Sequence, residues 1–274
     1  MARTQVNVVY PGREGAHSAA ACALLFPEAH AAAVPSFGEV VGAVASGLAD
    51  AGVLPIESSL AGPVAETHDL LVGSGVSIVA QTITQIRHFL VGVAPVELDE
   101  IRVVRSHAVA LDQCRKLLAA LPQATAIAAG TTADAAAQVA SDGDPREVAI
   151  ASERAAALHG LHVVAADVGD HPEAYTRFVA IRNRTDLGGG DGWRIAFSFQ
   201  TDHRPGALHR ALEPFARHGL DLDQLTSRPI PHTPWRYRFD AIVGGGLGDE
   251  RVRAAFAELR AQVPRFTVFG SYPS

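Results

Sequence analysis

Short apolar runs alternate with helix-like segments through roughly the first two thirds of the chain. Residues 6–10 form a compact apolar run typical of a strand, and the alanine-rich segment 18–26 that follows is typical of a helix. The same order recurs where a strand over 101–105 precedes a predicted helix over 109–121. Strands that alternate with helices indicate an α/β sheet, so we predict the α/β class for this part of the chain.

The pattern changes after a polar stretch that contains three consecutive glycines, residues 188–190. Such a composition is typical of a linker. The predicted elements beyond it are a strand at 194–201, a helix at 206–218, strands at 221–228 and 235–243, a helix at 249–262 and a strand at 265–271. This βαββαβ order is the ferredoxin-like arrangement. We therefore predict a large α/β domain over 1–184, a linker over 185–192 and a small domain over 193–274.

Composition and charge narrow the function classes. The chain is 48% hydrophobic and 19% charged, as in ordinary globular proteins, and its net charge of −6 leaves no basic excess to bind nucleic acid. No apolar run reaches the length of about 20 residues that crosses a membrane, and the first residues lack a secretion signal. We expect a cytoplasmic protein. Cys22 and Cys114 lie in apolar stretches, which favours two buried thiols over a nucleophile or a disulfide.

Hydroxyl and glycine residues gather where predicted strands give way to helices. These junctions are Gly12 to Ser18, Glu57-Ser58-Ser59, Ser106-His107, Gly130-Thr131-Thr132 and Ser152. At the carboxyl edge of a sheet, such turns present backbone N–H groups that suit a small anion, particularly a carboxylate. The alternative is that each Ser or Thr only caps its helix. The glycine spacing after the first strand does not match a dinucleotide-binding fingerprint.

Several motifs resemble those of one family and follow its order. They are Gly12-x-x-Gly15-x-x-Ser18, Pro55-Ile56-Glu57-Ser58-Ser59 with Gly62 and Thr67, Ser106-His107 with Ala110-Leu111-x-Gln113-Cys114, Gly130-Thr131, Thr176-Arg177-Phe178, Gly206-Ala207-Leu208, Ser227-Arg228-Pro229 and Trp235-x-Tyr237-x-Phe239. The chain resembles prephenate dehydratase with a C-terminal ACT regulatory domain over nearly its whole length. The resemblance implies a two-lobed catalytic domain like that of periplasmic binding proteins, followed by a ferredoxin-like ACT domain.

The resemblance implies a lyase that converts prephenate into phenylpyruvate, carbon dioxide and water in phenylalanine biosynthesis. The implied catalytic residues are Thr176, which is essential in the family and would hydrogen-bond the departing hydroxyl, together with Arg177 and Glu57. Arg177 either holds a carboxylate or forms a structural ion pair, and Glu57 either orders the loops or supplies a proton. The candidate substrate-binding residues are Ser18, Ser59, Thr67, Ser106, His107, Thr131 and Ser152. For His107 a helix-capping role is the alternative. The reaction needs no metal and no cofactor.

The sequence departs from the family pattern at five positions. They are Ser58, Ala108, Val109, Ala174 and Thr226, of which the first four stand near the implied substrate pocket. These departures keep several alternatives open: an arogenate dehydratase, a decarboxylase or other enzyme acting on a modified prephenate, and a non-catalytic amino-acid-sensing protein. Retention of Thr176 favours dehydration.

The small domain resembles the family's phenylalanine sensor. The implied effector-binding residues are Gly206, Ala207 and Leu208 at a helix start, with Ser227, Arg228 and Pro229. The N–H of Gly206 would hold the effector carboxylate, and apolar neighbours would accept its ring. Thr226 replaces a family glutamate, so recognition of the effector ammonium is weakened or rerouted. We expect phenylalanine to be a feedback effector and the protein to form a homodimer or homotetramer.

Overall fold

A computed structural model of the protein describes residues 6–183, 193–230 and 233–273. The predicted linker at 185–192 lies outside these residues. Among them, no helix is both long and apolar enough to cross a membrane. The predicted α/β class and the later βαββαβ order are both confirmed. The domain boundaries stay a prediction.

Strands and helices alternate along the first part of the chain, as the hydrophobic pattern predicts. The strands are β1 (Asn7–Pro11), β2 (His30–Val34), β3 (Ala51–Ser58), β4 (Gly62–Pro63), β5 (Val76–Gln85), β6 (Phe89–Gly92), β7 (Val103–His107), β8 (Thr125–Ala129), β9 (Glu147–Ala151), β10 (His162–Ala165), β11 (Tyr175–Asn183), β12 (Trp193–Gln200), β13 (Leu222–Pro229), β14 (Tyr237–Gly244) and β15 (Arg265–Pro273). The helices are α1 (His17–Leu25), α2 (Phe37–Ala45), α3 (Ala65–Leu71), α4 (Ala108–Asp112), α5 (Arg115–Ala119), α6 (Thr132–Asp142), α7 (Glu153–His159), α8 (Ala207–Arg217) and α9 (Glu250–Gln262).

The chain divides into two compact units, each of which draws on more than one segment. Of the described residues, the first unit contains 6–40, 53–67 and 82–178, and the second contains 41–52, 68–81 and those from 179 onward. In the first unit, β1 lies between β2, with which it is parallel, and β3, and β11 follows β3 in the same sheet.

A second sheet of the first unit has the strand order β10-β6-β9-β7-β8. Strand β7 is parallel to both β8 and β9, so the three chain segments that leave these strands emerge at one edge. Buried alanines line the contact of this sheet with α6 and α7, among them Ala135, Ala149 and Ala155. These small side chains let the helices pack closely on the strands and bring the helix starts next to the strand ends.

The predicted helix over 109–121 is wrong as a single element, because the chain breaks between α4 and α5. The carbonyl oxygen of Gln113 accepts a 2.7 Å hydrogen bond from the N–H of Asp170. The Asp170 carboxylate in turn accepts the N–H groups of Arg115 and Lys116, each at 3.0 Å. A carboxylate from a distant segment thus caps a new helix start, which local helix propensity does not reveal.

The second unit contains an antiparallel sheet in the order β13-β14-β12-β15. Helices α8 and α9 cover one face, where the Phe197 ring lies 5.4 Å from that of Phe215 and 5.0 Å from that of Phe256. Strand β5 pairs in parallel with β15 at Gly270. Any side chain at Gly270 would clash with the backbone of Ile78.

Both cysteines are buried and unpaired, as predicted. Burial raises the pKa of the Cys22 thiol to about 11 and that of Cys114 to about 12. Neither thiol is therefore ionised near neutral pH, which excludes a thiolate nucleophile at these positions.

Candidate active site

The glycine turn after β1 rests on the first turn of α7. The Ser152 hydroxyl donates a 2.7 Å hydrogen bond to the carbonyl oxygen of Gly15. Gly15 has φ +88°, and a Cβ at this position would lie 3.0 Å from Cα of Ala155. The position therefore needs glycine for its backbone conformation and also for the close approach. Two junctions that are far apart in the sequence are brought together here.

The same turn also meets the start of α6. A Cβ on Gly12 would lie 3.9 Å from the methyl carbon of Thr131, and Arg13 forms an ion pair with Asp134. The Thr131 hydroxyl donates to the Asp134 carboxylate at 2.8 Å and accepts the Asp134 N–H at 2.9 Å. The junctions at Gly12, Thr131 and Ser152 therefore lie together, as the strand-end argument predicts.

Most of the predicted hydroxyl donors have partners within the protein. Ser106 and Thr67 are fully buried, and their hydroxyls donate 2.6 Å hydrogen bonds to the carbonyl oxygens of Ile150 and Pro55. Ser152 and Thr131 cap α7 and α6, and the side chain of His107 caps α4. As substrate donors, these hydroxyls would have to give up bonds that hold the junctions in place. Ser18 lies half-buried in the first turn of α1.

Strand β11 carries the Thr176-Arg177-Phe178 motif and is bonded at its start to the segment that follows β3. The N–H of Ser59 donates to the Tyr175 carbonyl oxygen at 2.8 Å, and the N–H of Tyr175 donates to the Ser59 hydroxyl at 2.9 Å. Thr176 is half-buried, and Phe178 is buried as core. The reciprocal pair fixes the backbone on which Thr176 stands.

Arg177 contacts Glu57 at the end of β3. The guanidinium Nη1 lies 3.5 Å from Oε2 of Glu57, and 30% of each side chain is exposed. The buried Nε of Arg177 has no hydrogen-bond partner among the described residues. Side chains alternate along a strand, so Arg177 and Thr176 leave the start of β11 in different directions, and a ligand that contacts both must reach around the strand start. Ser58, at a departure from the family pattern, accepts N–H groups of the β3–β4 turn.

A pair of histidines next to the glycine turn, His17 half-buried and His88 buried, is absent from the sequence predictions. His17 begins α1, and its ring lies 6.3 Å from that of His88 in an edge-to-face arrangement. Burial lowers the pKa of His17 to about 4, with a smaller contribution from His88, and burial also lowers the pKa of His88. His88 Nε2 lies 2.8 Å from Oε1 of Gln113. Both rings are therefore neutral at pH 7. Their position after a glycine turn and before a strand was the available signal.

Thr84 on β5 is a further polar residue that the sequence analysis missed. Its buried hydroxyl has no hydrogen-bond partner within the described part of the chain. The N–H of Ile86, two residues on, donates to the carbonyl oxygen of Ala174, which is itself two residues before Thr176. Thr84 thus belongs to the same neighbourhood as the start of β11. Strand β5 also contains Ser77, Gln81 and Thr82, so a further threonine gives no such indication from sequence.

A pocket of about 540 Å³ opens in the second unit beside the start of α8. Gly206, Ala207 and Leu208 line it together with Asp202, Arg204, Arg236, Tyr237 and Phe239, among others. Gly206 adopts φ +75° at the helix start. Ser227, Arg228 and Pro229 lie on β13, opposite Phe239, Arg238 and Tyr237 of β14. Only the first predicted effector motif lines the pocket, whereas Ser227, Arg228 and Pro229 lie on the strand next to the β14 residues that line it. The binding role of both motifs stays a prediction.

Family models match nearly the whole chain: the prephenate dehydratase model matches residues 8–186 and the ACT domain model residues 197–261. The chain is 32% identical to arogenate dehydratase/prephenate dehydratase 2 of Arabidopsis thaliana, over 98% of this chain and 73% of that protein. It is 35% identical to the bifunctional chorismate mutase/prephenate dehydratase of Aquifex aeolicus, over 82% of this chain and 61% of that protein.

Solved structures agree with this assignment. The prephenate dehydratase of Arthrobacter aurescens, solved in complex with L-Phe, is 32% identical with a TM-score of 0.89, over 98% of this chain and 90% of that chain. GqqA, described as a quorum-quenching acylase, is 30% identical with a TM-score of 0.85, over 98% of this chain and 97% of that chain. The chain therefore belongs to the prephenate dehydratase family and carries a C-terminal ACT domain.

Proposed function

We propose that this protein is a lyase that converts prephenate into phenylpyruvate, carbon dioxide and water. Family membership supports the reaction class. The observation that carries the proposal for this chain is the position of the Thr176-Arg177-Phe178 motif. Reciprocal hydrogen bonds between Ser59 and Tyr175 fix the backbone directly before its first residue, at the start of β11. The start of β11 thus lies beside the carboxyl end of β3, and this position supports the proposal because ligands bind at the carboxyl ends of strands in sheets of this kind.

The proposed chemistry needs one proton and no redox step. The bond between the ring and its carboxylate breaks, and its electron pair becomes a ring π bond as carbon dioxide leaves. The ring carbon–oxygen bond breaks at the opposite side, and the departing hydroxide takes a proton to become water. In this scheme the Thr176 hydroxyl donates a hydrogen bond to the departing oxygen. Threonine has too high a pKa to be a strong acid, so it acts as an oriented donor.

Arg177 is the proposed carboxylate-binding group. Its pair with Glu57 at 3.5 Å is long for an ion pair, and its Nε lacks a hydrogen-bond partner among the described residues. A guanidinium in this state retains donors for a carboxylate. Glu57 then acts by orienting Arg177 rather than by supplying the proton.

The effector proposal rests on the pocket at the start of α8. The structure from Arthrobacter aurescens is a complex with L-Phe, and the same fold here has a pocket that presents Gly206 beside the apolar Leu208 and Phe239. Asp202 in the pocket offers a carboxylate for an ammonium group, which Thr226 does not. We propose feedback regulation by phenylalanine, a homodimer or homotetramer as the working assembly, and a cytoplasmic location.

The proposal is tested by incubating the purified protein separately with prephenate, with arogenate and with an N-acyl amide. We expect prephenate to give phenylpyruvate, which is measured by its absorbance in alkali. Phenylalanine from arogenate at a higher kcat/KM would make arogenate the substrate. A non-aromatic product from prephenate would make the protein a decarboxylase, and release of the acyl group alone would contradict the lyase assignment.

A further inference from the structure

Strand β14 presents different residues on its two faces. Tyr237 and Phe239 line the pocket beside α8. Arg238 and Asp240 alternate with them along the strand and therefore lie on its opposite face, where they are only 5% and 4% exposed. Side chains alternate between faces along a strand, so a shift of β14 that follows from a ligand in the pocket also moves Arg238 and Asp240.

Four charged or titratable side chains meet on that second face. We call His68, Asp69, Arg238 and Asp240 the α3–β14 ion cluster. Arg238 Nη2 lies 2.6 Å from Oδ1 of Asp69, and its Nε lies 3.2 Å from Oδ1 of Asp240. His68 Nδ1 lies 3.1 Å from Oδ2 of Asp240. Two side chains from α3 are thereby joined to two from β14.

Three of the four members of the cluster, His68, Arg238 and Asp240, are shielded from water. Burial alone would raise the pKa of Asp240, but His68, Arg238 and Ser198 together hold it below its ordinary value. His68 is 6% exposed. Buried ion pairs contribute little net stability, but separating their members is costly, so they hold two elements in one geometry. The cluster therefore makes α3 and β14 move together.

Helix α3 continues from this cluster to the end of β3. Thr67 directly precedes His68 in the helix, is fully buried and donates a 2.6 Å hydrogen bond to the carbonyl oxygen of Pro55. Pro55 lies two residues before Glu57, the partner of Arg177. One seven-residue helix thus carries both the ion cluster and a bond to the strand that ends at the candidate active site.

We propose that the α3–β14 ion cluster couples occupancy of the pocket beside α8 to the end of β3, with α3 as the connecting element. This inference rests on the proposed function, because it names how that activity is regulated. His68, Asp69, Arg238 and Asp240 are then positioning residues for regulation. They contact neither the substrate nor the effector. Their loss changes how strongly the effector acts on turnover, not whether it binds.

The test compares the full-length wild type with Asp69→Asn. The Asp69 side chain is 45% exposed, so this variant removes a charge from the cluster without opening the core. Phenylalanine binding is measured by calorimetry, and its effect on phenylpyruvate formation is measured separately. We expect affinity and basal kcat within about threefold of the wild type, and a decrease of about tenfold or more in the factor by which saturating phenylalanine changes turnover.

His68→Gln is the second variant, in case Asp69→Asn folds poorly, and Glu213→Gln is the matched control. Glu213 forms an exposed ion pair with Arg217 in α8, outside the cluster, and its variant should respond to phenylalanine as the wild type does. An unchanged phenylalanine effect in both cluster variants would overturn the inference while leaving the proposed function in place. Absence of prephenate turnover in the wild type would overturn the proposed function and this inference with it.

Discussion

Ser152 donates a 2.7 Å hydrogen bond to the carbonyl oxygen of Gly15, although the two residues are 137 positions apart. The same hydroxyl accepts the N–H of Ala155 at 3.0 Å and so caps α7. One side chain therefore completes a helix start and also fixes the glycine turn that follows β1. This double use makes Ser152 a structural anchor of the candidate active site.

Ser152→Ala tests that anchor. The variant loses a buried hydrogen bond and a helix cap, so we expect the free energy of unfolding to fall by about 1–3 kcal/mol. Urea unfolding followed by circular dichroism measures this change. Ser46→Ala is a suitable control, because the Ser46 hydroxyl donates within an exposed helix end at Gly42 and Ala43. Equal stability of wild type and Ser152→Ala would contradict the anchoring role.

Gly15→Ala tests the close approach of the turn to α7. Alanine must adopt φ +88° and must also place its Cβ 3.0 Å from Cα of Ala155. We expect a loss of roughly 2–4 kcal/mol in the free energy of unfolding and a strong loss of turnover.

Gly143→Ala separates the two causes. Gly143 has φ +71°, and a Cβ added there would meet no atom of the described residues within 4 Å, so only the backbone strain applies. We expect this control to cost about 1 kcal/mol and to leave turnover intact. If Gly15→Ala and Gly143→Ala lowered the free energy of unfolding equally, the contact with Ala155 would make no contribution to stability.

His17 predicts a dependence of stability on acid. Its pKa of about 4 in the folded protein lies below the ordinary value of 6.5, so the unfolded chain binds a proton first as the pH falls. Stability from the neutral ring is fully present above pH 6.5 and is lost as the pH falls from 6.5 to about 4. In His17→Phe, we expect the decrease in the free energy of unfolding over this pH range to be smaller by up to about 3 kcal/mol.

Urea unfolding at several pH values between 4 and 7 measures the dependence on His17. His88, which also has a lowered pKa, adds to the acid sensitivity of both proteins and leaves a residual slope in the variant. Parallel curves for wild type and His17→Phe would show that His17 titrates in the same way in the folded and unfolded states.

Arg177→Lys tests carboxylate binding at the strand end. Lysine keeps the charge but loses the planar fork, so we expect KM for prephenate to rise by about 10- to 100-fold with a smaller change in kcat. Glu57→Gln should leave KM within about fivefold if Glu57 only orients Arg177. A loss of stability in Arg177→Lys without a change in KM would identify the pair with Glu57 as structural.

The sequence predicted most elements because their hydrophobic patterns are local, but two features depended on distant partners. Strand β2 was not predicted at His30, because its run of three alanines gains a strand conformation only by pairing with β1. The break between α4 and α5 comes from Asp170, more than fifty positions after the caps it provides. Neither partner is visible in a local window.

The candidate site was predictable as a set of junctions, but the use of each hydroxyl was not. Thr131 and Ser152 were predicted at helix starts and lie together, yet their protons are donated to Asp134 and Gly15. A hydroxyl at a helix start suits both a cap and an anion, so residue type alone does not decide between them. Thr84 was missed because only the burial of its hydroxyl singles it out.

The hydroxyl of Thr176 is the centre of the proposed mechanism, and the rate of phenylpyruvate formation by Thr176→Val tests it most directly. Valine keeps the shape of threonine and its strand preference, so the fold should persist, as circular dichroism would verify. We predict that Thr176→Val loses at least about a hundredfold in kcat, whereas Thr176→Ser stays within about tenfold of the wild type. Wild-type kcat in a folded Thr176→Val protein would contradict the account.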